Sequence, residues 1–237
     1  MFTDGLIAIL DRSSRQEREH IFRVWPSSRL VEQMLRELQQ DPERLAVVVQ
    51  KSYMHDNGFS KIVLGESPHG GRLRLHVWQQ GADAEENIHD HRWSFTSRIL
   101  TGCLHNELWD TCIAQAPGAE HYRQFAYRPG RNEDRYGFNE VGRSWIRRTM
   151  QRWDDAGTVY SMEPGELHRI VADTALWFTA TLVYTAPTEL NTNRMFTLRD
   201  MEGEHPKPRL EPSEIMNLLN EVHMRCAELE RLKTLAA

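Results

Sequence analysis

The stretch Ile88-His89-Asp90-His91 places two histidines one residue apart. Side chains on a β-strand point to alternate faces, so His89 and His91 are predicted to share a face if the stretch is extended. A third histidine, His168, ends the turn-rich stretch Pro164-Gly165-Glu166-Leu167-His168. Three imidazoles facing one point are a typical ligand set for a first-row divalent metal. The sequence therefore predicts a metal site formed by His89, His91 and His168.

The spacing of these residues resembles that of the cupin family. Its first motif reads Gly-x5-His-x-His-x3-4-Glu-x6-Gly and its second reads Gly-x5-Pro-x-Gly-x2-His-x3-Asn. The first motif is matched by the histidine pair and Gly102, and the second by Gly157, Gly165 and His168, with Pro164 beside the expected proline. The resemblance implies a mainly β fold, a single cupin β-barrel (jelly roll) with helices before and after it.

Two positions depart from the cupin pattern. Phe95 stands seven residues before Gly102, where most cupins have a metal-binding glutamate, and Ala172 replaces the asparagine that follows the second motif. The expected ligand set is therefore three imidazoles without a carboxylate. Three further histidines lack the motif spacing and are not predicted to be ligands: His76, His105 and His121. Glu107 shares no face with the ligand strand and is a weak candidate for the missing carboxylate.

A cupin site of three histidines is similar to that of the thiol dioxygenases, the cysteine dioxygenase family. Their first motif also begins Ile-His-Asp-His, and their later strand ending Tyr-Ser-Pro-Pro is similar to Tyr184-Thr185-Ala186-Pro187. Their Tyr-Thr-Arg strand entry looks like Phe59-Ser60-Lys61. The resemblance implies bound Fe(2+), a catalytic hydroxyl of Tyr184 near dioxygen, and Lys61 in place of the arginine that binds the substrate carboxylate.

The segment after His91 supplies the other predicted substrate-binding residues. If the strand continues without a bulge, Trp93 and Phe95 lie on the face of the ligand histidines, as core residues or as walls of an apolar pocket. Arg98 then points away, and it is a candidate for binding a substrate carboxylate only if the strand is kinked. Lys61 would offer such a carboxylate a point charge instead of the fork of an arginine.

The chain is predicted to run helix, barrel, helix in a single domain, residues 1–237. A helical N-terminal part covers about residues 1–58, with one amphipathic helix that begins near Ser27-Ser28 and ends at Pro42. A period of two from Lys61 onward predicts the barrel over about residues 59–190. Ser213 is expected to cap a helix over about residues 213–234, whose apolar stripe packs on the barrel or on a second subunit.

The segment 113–156 is long for a connection between the two motifs. Long loops in compact domains are often functional, so this segment is predicted to form a lid or an extra hairpin over the metal. The alternative is a surface excursion that closes one end of the barrel or makes a subunit contact.

Composition favours a soluble cytoplasmic protein. The 29 basic and 34 acidic residues leave a formal net charge of -5, which offers no electrostatic surface for nucleic acid. No apolar run is long enough to cross a bilayer, and the charged stretch from Met1 to Trp25 lacks the apolar region of a signal peptide. The three cysteines form no CxxC pair, as is typical of a reducing compartment.

Together these patterns predict a mononuclear non-haem iron(II) dioxygenase, an oxidoreductase that uses O2 on a small anionic substrate. A thiol or an amino-acid derivative that chelates the metal is the expected substrate class, because three facial imidazoles leave positions on the ion for substrate and dioxygen. Two alternatives stay open. One is a non-redox isomerase or lyase using another divalent metal as a Lewis acid; the other is a metal-containing module that binds a small ligand. The expected partners are the substrate and O2, without nucleic acid or membrane, and a homodimer stays open.

Overall fold

The computed structural model describes residues 1–84, 86–132 and 134–235. Its helices are α1 (Phe2–Arg12), α2 (Arg15–Val24), α3 (Ser27–Gln40), α4 (Pro42–Lys51) and α5 (Pro212–Leu235). Its strands are β1 (Tyr53–His55), β2 (Phe59–Glu66), β3 (Arg72–Trp78), β4 (Ile88–His89), β5 (Phe95–Thr101), β6 (Cys103–Thr111), β7 (Glu120–Pro129), β8 (Arg135–Asp155), β9 (Val159–Met162), β10 (Leu167–Val171), β11 (Thr179–Thr185), β12 (Arg194–Thr197) and β13 (Gly203–Pro206).

The strands form two antiparallel sheets. One has six strands in the order β1-β2-β3-β11-β5-β9, and the other has seven in the order β13-β8-β6-β10-β4-β12-β7, with a further pairing of β8 to β7. Gly102 forms the tight turn between β5 in the first sheet and β6 in the second. It adopts φ +74°, and an added Cβ would lie 2.3 Å from Thr179 Oγ1, so a glycine is required here. The predicted mainly β class is confirmed.

Local sequence signals explain the N-terminal helices. Ser14 and Glu17 form a reciprocal capping box at the start of α2. Asp41 accepts a hydrogen bond from the Arg44 N–H, and Pro42 occupies the first turn of α4, where its missing N–H costs nothing. Pro42 therefore ends α3 as predicted and also begins a further helix, which the sequence reasoning did not separate.

The main hydrophobic core lies between the helices and the outer face of the six-stranded sheet. Leu73, Leu75 and Val77 of β3 point into it, together with Leu182 of β11. The apolar stripe of α5 covers this core from Ile215 to Cys226 and packs against α3 and β5. The predicted apolar stripe extends to Leu232, but this side chain is 48% exposed, so the buried stripe is shorter than predicted. The helix also begins at Pro212, which puts Ser213 inside its first turn instead of at the cap.

The segment 113–156 forms an extra hairpin, one of the predicted outcomes. The first half of β8 pairs with β7, for example Phe138 with Tyr127, and its second half pairs with β6, for example Arg152 with Asn106. The hairpin thereby extends the seven-stranded sheet. Among the helices within the described ranges, none has the length and apolar character needed to cross a membrane.

Candidate metal centre and cavity

The side chains of His89, His91 and His168 converge. His89 is the last residue of β4, His91 lies two residues later in the loop to β5, and His168 is the second residue of β10. The antiparallel pairing of β4 with β10 places His168 directly opposite His89. Their ligand nitrogens all lie within 4.8 Å of one another, which brings them within reach of one divalent ion. In the described part of the chain, no carboxylate or thiol joins this cluster.

The three imidazoles have the protonation state that metal binding requires. The Nδ1 atoms of His89 and His168 donate to the carbonyls of Asn87 (2.9 Å) and Glu166 (3.3 Å), which leaves the Nε2 lone pairs for a metal. Burial lowers the pKa of His168 to about 3 and lowers the pKa values of His89 and His91 as well. The rings are therefore neutral at pH 7, and a divalent metal fits this donor set.

The chain between His91 and β5 is not a continuous strand, so the predicted unbulged strand is wrong. Residues 90–94 form a loop that leaves the seven-stranded sheet after β4 and enters the six-stranded sheet at Phe95. Asp90 is the last residue held to β12: its N–H donates to the Arg194 carbonyl, and its carboxylate accepts two hydrogen bonds from Arg194.

The histidines form part of the wall of a cavity of about 580 Å3. The Trp93 ring stacks on His91 with centroids 5.5 Å apart, and the Phe95 ring lies 5.3 Å from His91 and 5.8 Å from His168. Phe95 thus presents apolar surface beside the cluster, where the cupin motif has its glutamate. Both aromatic side chains line the cavity, and their role in substrate binding stays a prediction.

Lys61 also lines the cavity. Its Nζ lies 3.1 Å from the hydroxyl oxygen of Tyr53, and burial together with the positive charges of Arg74 and Arg72 holds the pKa of Lys61 well below its usual value. The location is compatible with a contact to an anionic group of a substrate, so this role also stays a prediction.

The structure corrects two predicted site residues, Tyr184 and Arg98. The Tyr184 hydroxyl donates to Asp11 Oδ1 at 2.5 Å, and its ring belongs to the core beneath the helices, because Val183 and Thr185 take the cavity side of β11. Arg98 donates to the main-chain carbonyls of Phe22 and Trp25. Both predictions are wrong, since these side chains point toward the helices.

The sequence reasoning missed one row of cavity residues, the β3 row of Arg74, His76 and Trp78. These residues alternate with the core residues Leu73, Leu75 and Val77, and they line the cavity. The alternation is visible in the sequence. The sequence does not show that this face of β3 lines a cavity instead of facing solvent.

Comparisons with known proteins found similar chains among solved structures. No protein-family model matches the chain, and no curated protein matches it. The chain is similar to hydroquinone 1,2-dioxygenase PnpCD in complex with Cd2+ and 4-hydroxybenzonitrile, with 14% identity over 62% of this chain and 72% of that chain and a TM-score of 0.33. It is also similar to a cupin-like protein from Thermotoga maritima, with 12% identity over 70% of this chain and 91% of that chain and a TM-score of 0.28.

The class of protein follows from the chain's own architecture. Two antiparallel sheets carry helices at both ends of the chain, and three histidines on the second sheet and its loop meet on a cavity wall. This is a mainly β, two-sheet fold with a candidate metal site.

Proposed function

We propose that this protein is a mononuclear non-haem iron(II) dioxygenase of the cupin type. His89, His91 and His168 would hold the metal. One observation carries the proposal: three neutral imidazoles, of which His168 is buried and the other two are half-buried, converge on the wall of a cavity large enough for an organic substrate. When bound, iron(II) would supply the redox chemistry with dioxygen, for which a facial set of three ligands leaves open positions.

The surrounding residues favour an anionic substrate. Because the three ligands are neutral, a divalent ion would keep its full charge and attract an anionic chelator such as a thiolate. Lys61 lies on the same cavity wall and would contact a substrate carboxylate. Trp93 and Phe95 pack against the ligand rings and would keep water away from them. Within the thiol dioxygenase resemblance, the substrate is a thiol or an amino-acid derivative.

The chemistry of the cysteines supports a cytoplasmic location for this enzyme. Cys103, Cys112 and Cys226 are all free, and Cys103 and Cys226 are buried. Free thiols persist in a reducing compartment, whereas proteins of oxidising compartments commonly pair them.

Iron loading followed by oxygen uptake tests the proposal. The metal-free protein is loaded anaerobically with Fe(2+) or with Zn(2+), and its metal content is measured. We expect one metal per chain in both forms, and O2 consumption with the iron form and a panel of thiols and other small acids. Turnover by the zinc form without O2 would favour a Lewis-acid lyase or isomerase instead. Tight ligand binding without consumption by either form would favour a binding module.

A further inference from the structure

The β3 row carries polar atoms that have no hydrogen-bond partner. Arg74 Nε, His76 Nε2 and Trp78 Nε1 are all buried, and none of them meets a partner within the described residues. Arg74 is 5% exposed and Trp78 is 2% exposed. Buried polar atoms are nearly always paired, and an arginine or indole N–H can only donate. Three successive residues on one strand face of the cavity wall therefore carry at least two donors that no described protein group uses.

Among the residues that the structure describes, no carboxylate forms an ion pair with Arg74, although the more distant charge of Glu66 raises its pKa. Its guanidinium lies 5.2 Å from the centroid of the Trp93 ring. Although burial and Arg72 lower the pKa of Arg74 to about 10, the group stays protonated at pH 7.

Among the described residues that line the cavity, three of the four acidic side chains pair with other cations or are neutral. Glu66 forms ion pairs with Lys51 and Arg72, and Asp134 pairs with Arg209. Burial raises the pKa of Glu86 to about 8, so this carboxyl group is protonated at pH 7. Asp56 lies 4.0 Å from His205. A buried cation of this kind is costly unless a ligand pairs with it.

The cavity is large and its wall is aromatic. A volume of about 580 Å3 falls in the range of roughly 300–1,000 Å3 that takes drug-sized ligands. A small aliphatic thiol would leave most of that space unfilled. The aromatic wall consists of Phe59, Trp78, Trp93, Phe95 and Tyr160. Phe59 lies 4.8 Å from Trp78 between ring centroids, and Tyr160 lies 6.1 Å from Phe95. Such surfaces suit a flat ring, which packs by offset stacking or edge-to-face contact.

We infer that the cavity binds an aromatic carboxylate, with Arg74 as the charged anchor for the carboxylate and the aromatic wall as the site for the ring. The inference rests on the proposed function in one respect, namely that the cavity is the substrate site. It narrows the substrate from any small anionic chelator to an acid that carries a planar ring system. It also assigns the carboxylate contact to Arg74 on β3, with Lys61 as a neighbouring group.

Calorimetric titration of the metal-free protein tests this inference without iron or oxygen. The probes are 2-naphthoate, its uncharged analogue 2-naphthamide, and the aliphatic acid 3-mercaptopropionate. We expect 2-naphthoate to bind, and each of the other two to bind at least about tenfold more weakly, because one lacks the charge and the other lacks the ring. Equal binding of acid and amide, no binding of either, or equal binding of 3-mercaptopropionate would overturn the inference.

A variant pair locates the anchor. Arg74→Gln should weaken 2-naphthoate binding by about tenfold to a hundredfold and abolish the preference for the acid over the amide. Arg98→Gln is the matched control, because it removes another arginine of the same sheet that points to the helices. It should leave binding unchanged. Retained affinity for 2-naphthoate in a folded Arg74→Gln protein would refute the anchor role. If this variant does not fold, the comparison of 2-naphthoate with 2-naphthamide in the parent protein decides whether the cavity binds a carboxylate. Because no metal is present, this outcome is separate from a failure of the oxygen-uptake assay.

Discussion

The side chains of Asp90 and Arg194 form an ion pair that connects the segments carrying all three histidines. Arg194 Nε and its main-chain N–H each donate to an oxygen of Asp90 at 2.6 Å, and the Asp90 N–H donates to the Arg194 carbonyl at 3.1 Å. The same guanidinium donates to the Gly165 carbonyl at 2.9 Å, and the Gly165 N–H donates to the His91 carbonyl at 3.0 Å. Asp90 stands between His89 and His91, so this ion pair positions the candidate ligands.

Asp90→Asn should weaken metal binding while the protein stays folded. The substitution keeps the shape of the side chain but removes its charge. The ion pair that connects Arg194 to the loop of residues 90–94 is then lost. Groups that orient ligands in this way typically contribute about tenfold or more to metal affinity. A Co(2+) titration followed by visible absorption gives the affinity. Glu32→Gln is the control, because its partner Arg36 lies on the exposed side of α3. Unchanged Co(2+) affinity in Asp90→Asn would show that the ion pair does not position the histidines.

His89→Ala, His91→Ala and His168→Ala should each abolish metal retention without unfolding the protein, because each removes one of three converging ligands. Metal content after purification and a circular dichroism spectrum give the two readouts. His105→Ala and His121→Ala serve as controls, since these rings stack on Trp153 and Trp145 outside the cluster. They should retain the metal in full. Full metal content in any of the first three variants would remove that histidine from the ligand set.

Phe95→Glu should tighten metal binding and weaken the binding of an anionic substrate. Its ring is 6% exposed and adjoins His91 and His168, so a carboxylate at this position would lie beside the candidate ion. The added negative charge would occupy one position on the metal and reduce its attraction for an anion. Turnover of an anionic substrate should fall by about tenfold or more, on the scale of a lost charge-assisted contact. Phe95→Leu controls for the loss of the ring. Parent-like metal affinity and turnover in Phe95→Glu would show that position 95 does not act on the metal.

Tyr184→Phe should leave metal content and oxygen uptake unchanged and should lower the free energy of unfolding by about 1.5–3 kcal/mol, the usual contribution of a hydrogen bond to a charged group. The reason is that its hydroxyl contacts Asp11 beneath the helices. Urea denaturation of Tyr184→Phe, Asp11→Asn and the double variant gives the coupling between the two side chains. Loss of oxygen uptake in Tyr184→Phe with normal metal content would show that the Tyr184 hydroxyl acts in the site.

The metal-free protein should lose stability as the pH falls below 6.5, partly through His76. Burial and the charges of Lys61 and Arg74 hold the pKa of His76 well below 6.5 in the folded state. The unfolded chain therefore binds a proton that the folded protein excludes, so the stability is present above pH 6.5 and is lost toward lower pH. In His76→Phe, urea denaturation at pH 7.5 and at pH 5 should show a smaller loss of the free energy of unfolding over this interval than in the parent. An equal loss in parent and variant would contradict the assignment.

Much of the fold and the candidate ligands could be read from local patterns. Helical periodicity with caps located α3 and α5 to within a few residues, since the first turn and the apolar face of a helix are encoded over short distances. The histidine spacing predicted the three residues that converge on the cavity wall. Gly102 matches the closing glycine of the first cupin motif, and its positive φ explains why a glycine stands there.

The sequence by itself thus determined several of the helices and strands, the three candidate ligand histidines and the polar alternation of β3, whereas the tertiary structure decided which strand faces line the cavity. Every residue of β11 is buried, because helices cover one face of its sheet and the cavity lies on the other. Alternation with a period of two shows that a strand has two distinct faces. It does not show which face lines the cavity and which packs on the helices, since both faces exclude water. For that reason the sequence does not show that Tyr184 and Arg98 face the helices, or that Arg74 faces the cavity.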